Sequence, residues 1–252
     1  MDERRVLVST IAPVSGGVPT MTRFITDTLQ NRGYIPVLAH YEPWSVTPSL
    51  SVPAHRLLQG KPQAQVRTTW GTLETHALGA WLPELEFTHY KASRKWRELM
   101  DTCSHFVAVS GNALAALPFK ETGRPFTAWV ATGWEEDRLD RVQRFPLARK
   151  WLDRVVNTPV LRRKEREVLN AGHVLALSKY TCAALNVIAA APICRDVLPM
   201  PIDSEFFSPD PIKVKAGGIG FTGRLDDPRK NLGLLIDAVG KLVKQGADVH
   251  AV

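Results

Sequence analysis

A glycine-containing turn near the end of the chain carries residue types that bind phosphate. Gly223, Arg224 and Lys230 lie between an apolar run and an amphipathic stretch, where a strand of a parallel sheet would pass into a helix. Glycine allows a close backbone turn, while Arg224 and Lys230 can place two positive charges on a diphosphate beside a helix N-terminus. The pattern predicts a diphosphate-binding turn, with a solvated basic turn as the alternative.

Other residues that could do chemistry are not arranged for it. The seven histidines lack close metal-ligand spacing, and the cysteines form no Cys-x-x-Cys pair, so no metal site is expected. Ser178 and Lys179 have the letters of a Ser-Lys dyad without its usual setting, and Ser178 is interpreted as a helix cap. Four acidic residues are expected on exposed helix faces, unpaired for acid–base work: Asp137, Asp140, Glu165 and Glu167.

The composition limits the classes of partner and the compartment. The 252-residue chain carries a formal charge of +7, which favours anionic partners such as phosphates, nucleotides or acidic glycolipids. Its three cysteines are far apart, which suits a reducing compartment, so free thiols and a cytoplasmic location are expected. Neither a signal peptide nor a membrane span is read at the N-terminus, and the apolar stretch 185–193 is too short to cross a bilayer. Any membrane contact is therefore expected to be peripheral.

The elements that would position the turn form an α/β pattern. A buried strand over 6–10 leads through Gly16 and Gly17 into a helix that ends near Gly33, and 34–39 returns as a strand. By itself the glycine pair indicates a tight turn. Further strands are predicted at 106–109, 126–130, 173–177 and 196–198, whereas 40–75 is interpreted as an irregular connection with at most one short strand. The prediction is a Rossmann-like parallel sheet with helices on both faces.

The stretch 138–170 is predicted to be helical and strongly basic, broken near Pro146 and Pro159. Its charge favours attraction to anionic lipid headgroups or to an anionic acceptor. A solvated helix face with local ion pairs is the alternative. Because few aromatic side chains are interleaved with the charges, no nucleic-acid partner is expected.

The chain is predicted to hold two domains. A Pro-punctuated link near 199–215 closes a first domain over 1–215, and 216–252 reads as the first βαβ unit of a second Rossmann-like domain. One such unit is too small to bury both of its faces. We therefore expect that the second domain is cut short, or that its unit docks on the first domain.

Four segments, in this order, resemble the retaining glycosyltransferases of the two-Rossmann-domain (GT-B) type, family 4. The first is the Gly16-Gly17-Val18 turn whose helix closes at Gly33, and the second is the strand and helix start at 176–180. The third is the interdomain segment 197–209, and the fourth is Phe221-Thr222-Gly223-Arg224 with Lys230-Asn231. The resemblance spans nearly the whole chain, and the fourth segment is its most specific part.

The resemblance implies transfer of a sugar from a nucleotide-sugar donor to a glycan, lipid or small-molecule acceptor, with retained anomeric configuration. No metal or cofactor is implied, since the nucleotide sugar is a substrate. Residues matching Arg224 and Lys230 would stabilise the departing diphosphate at the Gly223 turn. Backbone N–H groups at Gly16 and Gly17 would approach the same phosphates from the other domain.

The sequence departs from the family pattern in two places. The family usually carries a histidine in the loop that corresponds to 131–134, and here that loop has none. Trp134 in this loop is expected to stack on an acceptor sugar, to pack in the interior or to contact a partner. The paired glutamates that hold the donor in this family are also absent, so little turnover is expected from this chain. A non-catalytic binding protein with a basic helical surface and a nucleotide-binding enzyme such as an epimerase remain the alternatives.

Overall fold

The computed structural model describes residues 4–12, 16–205, 207–208, 218–221, 223, 225 and 230–251. The chain divides into two compact units, Met1–Pro201 and Ile202–Val252, and the division falls inside the predicted link 199–215. Each unit is described by itself.

The first unit is an α/β fold built on a mixed, mostly parallel sheet of eight strands in the order β3-β4-β2-β1-β5-β6-β7-β8. The strands are β1 (Arg5–Thr10), β2 (Ile35–Tyr41), β3 (Ala64–Thr69), β4 (Leu73–Leu78), β5 (His105–Ser110), β6 (Thr127–Val130), β7 (His173–Ala176) and β8 (Cys194–Val197). All neighbouring strands run parallel except β3 and β4, which are antiparallel. The predicted α/β class and Rossmann-like character are confirmed at this level.

Helices cover both faces of this sheet. The α-helices of the first unit are α1 (Gly17–Asn31), α2 (Arg94–Met100), α3 (Leu117–Glu121), α4 (Trp134–Gln143), α5 (Leu147–Leu152), α6 (Thr158–Leu169) and α7 (Lys179–Ala189). The central strand β1 is buried from Val6 onward, because both of its faces are covered. Its alternate side chains enter different cores: Val6 and Val8 pack with Met21 of α1, whereas Leu7 belongs to the cluster that contains Leu185 of α7.

The prediction for 40–75, an irregular connection with at most one short strand, leaves out the second strand of a hairpin. Residues Ala64–Thr69 and Leu73–Leu78 form the hairpin β3–β4, and β4 extends the sheet by pairing in parallel with β2. The hairpin was missed because most residues of the edge strand β3 are exposed, Val66 among them, so no apolar pattern marks it.

The basic stretch is helical, as predicted, but only one of its two predicted breaks is present. Pro146 separates α4 from α5. The helix α5 continues through a π turn, Asp153–Asn157, directly into α6, and Pro159 lies in the first turn of α6. A proline is tolerated there because the π turn changes the backbone hydrogen-bond pattern just before it.

The second unit contains β9 (Gly218–Ile219), α8 (Leu232–Lys244) and β10 (His250–Ala251). Residues 218 and 219 pair in parallel with 250 and 251. This is the βαβ connection predicted for 216–252.

Candidate functional site

A cavity of about 610 Å³ opens at the carboxyl ends of β1, β2 and β5. Its lining includes residues that end these strands: Thr10, Tyr41 and Ser110. From β1 the chain goes to β2 on one side, and β5 lies on the other side of β1, so the strand order reverses here. A crevice at such a reversal is the usual ligand site of open α/β sheets, and this volume is typical of small-molecule pockets.

An aromatic pair lines one part of the cavity. The rings of Tyr41 and His89 are stacked, with centroids 4.1 Å apart and planes 10° apart. His89 Nε2 lies 2.8 Å from the Pro83 carbonyl oxygen. Because a carbonyl only accepts, Nε2 carries the proton and donates it, which leaves Nδ1 as an acceptor. Burial lowers the pKa of His89 and the Pro83 hydrogen bond opposes this, so the ring is neutral near pH 7.

Polar groups after β5 connect this strand end to α4. Asn112 Oδ1 accepts from the Leu114 N–H at 3.1 Å, and Asn112 Nδ2 donates to Asp137 Oδ2 at 3.2 Å. A Cβ atom on Gly111 would lie 3.2 Å from the Asp137 carboxylate, so glycine permits this close approach. Burial raises the pKa of the nearby Tyr90 hydroxyl, which keeps it protonated and able to donate. The result is a fixed set of neutral donors and acceptors beside one carboxylate.

A buried ionic network supports the cavity wall. Arg138 Nη2 donates to Glu86 Oε2 at 2.7 Å and to Asp153 Oδ1 at 2.6 Å, and all three side chains are buried. The Trp134 indole N–H also donates to Glu86, at 3.2 Å. The network joins α4 to the π turn and to the 3₁₀ turn Glu86–Thr88. It thereby holds the segments that carry Arg141 and Arg149, the two cations among the cavity-lining residues.

Glu165 is buried, contrary to its predicted place on an exposed helix face. Its carboxylate accepts the Trp134 N–H at 2.7 Å, so it caps the first turn of α4. Burial raises the pKa of Glu165 to about 7, because the effect of burial is larger than the opposing effect of the hydrogen bond from the Trp134 N–H. Glu165 lies on the apolar stripe of α6 between Leu161 and Val168, which explains why it turns inward.

The glycine pair lies at the same edge of the sheet as the cavity. Gly16 has φ +113°, a conformation that other residues adopt at a cost, and precedes the first residue of α1. A Cβ atom on Gly17 would lie 3.3 Å from Met200 Cε. The loop that carries both glycines leaves β1 through Ile11 and Ala12, which line the cavity.

In the second unit, the structure brings Lys230 beside Gly223. The Lys230 Cγ and Cδ atoms lie 3.7 Å from the position of a Cβ on Gly223. Lys230 is exposed, one residue before the residue that caps α8. Arg224 lies outside the described residues.

Trp134 is an interior residue. It is 1% exposed and packs with Leu114 and Leu161, and the Arg138 guanidinium lies 4.5 Å from its ring centroid. Of the roles expected for Trp134, the structure therefore supports packing, because the buried indole has no free face for a sugar or a partner.

Sequence reasoning missed most of the cavity residues. Ser110 and Asn112 carried a signal as polar residues at and just after the end of a buried strand, and Arg141 and Arg149 belong to the basic stretch 138–170. No local pattern links these residues to Tyr41 and His89, because the segments that carry them are distant in the sequence and meet only in the folded chain.

Within the described part of the chain, no group of three or more His, Cys, Asp or Glu side chains could hold a metal ion, and the three cysteines are free thiols. Among the same residues, every helix is too short or too polar to cross a bilayer. Neither models of known protein families nor curated protein sequences match the chain.

Proposed function

We propose that this chain acts in sugar transfer, and that the cavity at the strand reversal binds the acceptor. The observation that carries the proposal is the position of this cavity, at the carboxyl edge of the parallel sheet and beside the loop of Gly16 and Gly17. In the proposed reaction, the bond between the anomeric carbon and the diphosphate oxygen breaks, and a bond to an acceptor hydroxyl oxygen forms on the same face. The hydroxyl proton leaves with the diphosphate.

The cavity lining suits a polar, ring-shaped acceptor. The Tyr41–His89 stack offers an apolar surface for a sugar or polyol ring, and Asn112, Ser110 and His89 offer hydrogen-bonding groups for hydroxyls. Arg141 and Arg149 add positive charge for an anionic substituent such as a phosphate.

On the donor side, the proposal rests on Gly223 and Lys230, which lie together before α8. A cation beside a helix N-terminus stabilises the negative charge that develops on a departing diphosphate. Arg224 enters the proposal through the sequence pattern alone.

Calorimetry with a panel of nucleoside diphosphates and nucleotide sugars tests the donor assignment. Replacement of Arg224 and Lys230 by alanine should weaken binding at least tenfold, because charge-assisted contacts to phosphate are lost. The matched control is Lys241→Ala with Lys244→Ala in the last turn of α8, which removes the same charge and should leave binding within about two-fold. Unchanged affinity in the Arg224 and Lys230 variant would refute the diphosphate assignment.

Product analysis separates the candidate functions. Release of nucleoside diphosphate together with a glycosylated acceptor supports transfer, whereas a rearranged nucleotide sugar without acceptor consumption identifies an epimerase. Specific binding of a polyol or glycan that is lost in Tyr41→Ala, without either product, assigns the chain to the non-catalytic binding proteins.

A further inference from the structure

An exposed row of apolar side chains runs along α5 and the π turn. Leu147, Trp151 and Val155 are 85%, 66% and 52% exposed, respectively. They are four residues apart, a spacing that places them on one face of a continuous helical segment. Single exposed apolar residues are ordinary, but three in line on one helical face form a patch that water does not favour.

Cations are interleaved with this row. Lys150 and Arg154 lie directly beside Trp151 and Val155 in the sequence, and no carboxylate that the structure describes is paired with either of them. The single acidic residue of 144–157 is Asp153, and it is turned inward onto Arg138. The outer face of this segment is therefore both apolar and positively charged.

We propose that this face, defined by Leu147, Lys150, Trp151, Arg154 and Val155, docks on an anionic lipid bilayer. Lysine and arginine attract anionic headgroups, while leucine and tryptophan enter the interface between headgroups and acyl chains. The flexible stems of Lys150 and Arg154 allow their charges to stay at headgroup level while the apolar side chains insert.

The apolar row also favours lipid over nucleic acid as the occupant. Phosphates of a nucleic acid would satisfy Lys150 and Arg154, but the aliphatic Leu147 and Val155 gain nothing from a phosphate backbone. Trp151 alone offers a stacking surface. The proposal does not depend on sugar transfer, although α5 also contributes Arg149 to the cavity.

Sedimentation with vesicles tests the charge component. The chain should bind vesicles with about 30 mol% phosphatidylserine and should not bind vesicles of pure phosphatidylcholine, and the binding should weaken as the salt concentration rises. Lys150→Gln with Arg154→Gln should weaken binding on the order of thirty-fold, from the usual contribution of each cation. The matched control Arg56→Gln with Lys61→Gln removes two exposed cations elsewhere and should have little effect. Equal loss in both pairs would overturn the proposal, since net charge alone would then explain binding.

Two further measurements test the apolar component. Leu147→Ser with Trp151→Ser should weaken vesicle binding, whereas Leu58→Ser with Val187→Ser, at two other highly exposed positions, should not. The tryptophan emission should shift to shorter wavelength on vesicle addition, and Trp151→Phe should abolish that shift. Two results would overturn the proposal. One is the absence of binding to anionic vesicles at low salt. The other is binding to duplex DNA that requires Lys150 and Arg154, together with vesicle binding that does not require Trp151.

Discussion

Replacing Arg138 by methionine should destabilise the first unit more than any exposed charge substitution. Methionine has a similar reach and keeps the apolar contact with the Trp134 ring, but it removes both ionic hydrogen bonds. In the native chain, Arg138 Nη2 lies 2.7 Å from Glu86 Oε2 and 2.6 Å from Asp153 Oδ1. In the variant, both carboxylates would remain buried without this shared cation.

The expected loss of unfolding free energy depends on which interactions the Glu86 and Asp153 carboxylates keep without Arg138. Removing one partner of a buried ion pair typically costs about 3–5 kcal/mol, because the remaining charge keeps its desolvation penalty. Asp153 retains hydrogen bonds from Asn157 and Thr158, at 3.3 and 3.4 Å, which reduce the loss. We therefore expect about 3–4 kcal/mol, which is roughly 6–16 °C in Tm for a chain of this size.

Urea unfolding followed by circular dichroism measures this loss, with Arg162→Met as the matched control. Arg162 also pairs with a carboxylate, that of Glu135, but its side chain is 64% exposed. Exposed pairs contribute about 0–1 kcal/mol, so the control should unfold near the wild-type midpoint.

A second pair of changes separates charge from packing. In the Arg138→Met background, Glu86→Gln with Asp153→Asn removes the two carboxylate charges that have lost Arg138, and it should recover part of the lost stability. Two results would refute this reasoning: a loss for Arg138→Met no larger than that for Arg162→Met, or a further loss on adding the two amides.

Three other predictions concern single positions. Burial raises the pKa of Glu165 from 4.5 to about 7, so the folded chain binds this proton more tightly than the unfolded chain. The resulting stabilisation is complete below pH 4.5, and the free energy of unfolding should fall as the pH rises from 4.5 through 7. Glu165→Gln should flatten that dependence in unfolding measured between these pH values, and an unchanged slope would contradict the assignment. Gly79→Ala should lower the unfolding free energy by about 3 kcal/mol or more, because the new Cβ would lie 1.8 Å from the Leu50 carbonyl oxygen, whereas Gly60→Ala, with 3.8 Å of clearance, should be nearly neutral in thermal unfolding. For His89, long-range ¹H–¹⁵N spectra at pH 7 should show the neutral ring protonated on Nε2, with a pKa below 6.5; a cationic ring would contradict the buried geometry.

The sheet could be predicted from the sequence wherever a strand is buried on both faces. Such strands are continuous apolar runs, as at Val6–Val8, and the helices between them have the periodicity that covers a sheet. The edge strand β3 of the hairpin lacks that signal, because it buries few side chains. Its position beside β2 depends on long-range pairing, such as that of Leu38 with Thr75, which no local pattern records.

The candidate site was less predictable than the fold, for a related reason. The proximity of Gly223 and Lys230 could be predicted from the sequence, because both belong to one short connection between a strand and a helix. The cavity is instead lined by residues from distant segments, such as Tyr41, His89 and Arg149. Only the fold brings them together, so the sequence does not show that they are neighbours. The burial of Glu165 was predictable in principle, since this residue lies on the apolar stripe of α6. Its charged sequence neighbours instead favoured the prediction of an exposed position.

The ionic network explains why the cavity wall has a defined position. Apolar side chains of similar volume could replace Arg138, Glu86 and Asp153 with little loss of stability, because buried ion pairs are offset by their desolvation. Apolar packing, however, tolerates small shifts that a buried, directional hydrogen bond to a charge does not. Two short ionic bonds to one guanidinium group fix α4 and the π turn relative to Glu86, and with them Arg141 and Arg149 at the cavity. The main effect of the network is thus to fix the positions of the cavity-lining segments, and its net contribution to stability is small.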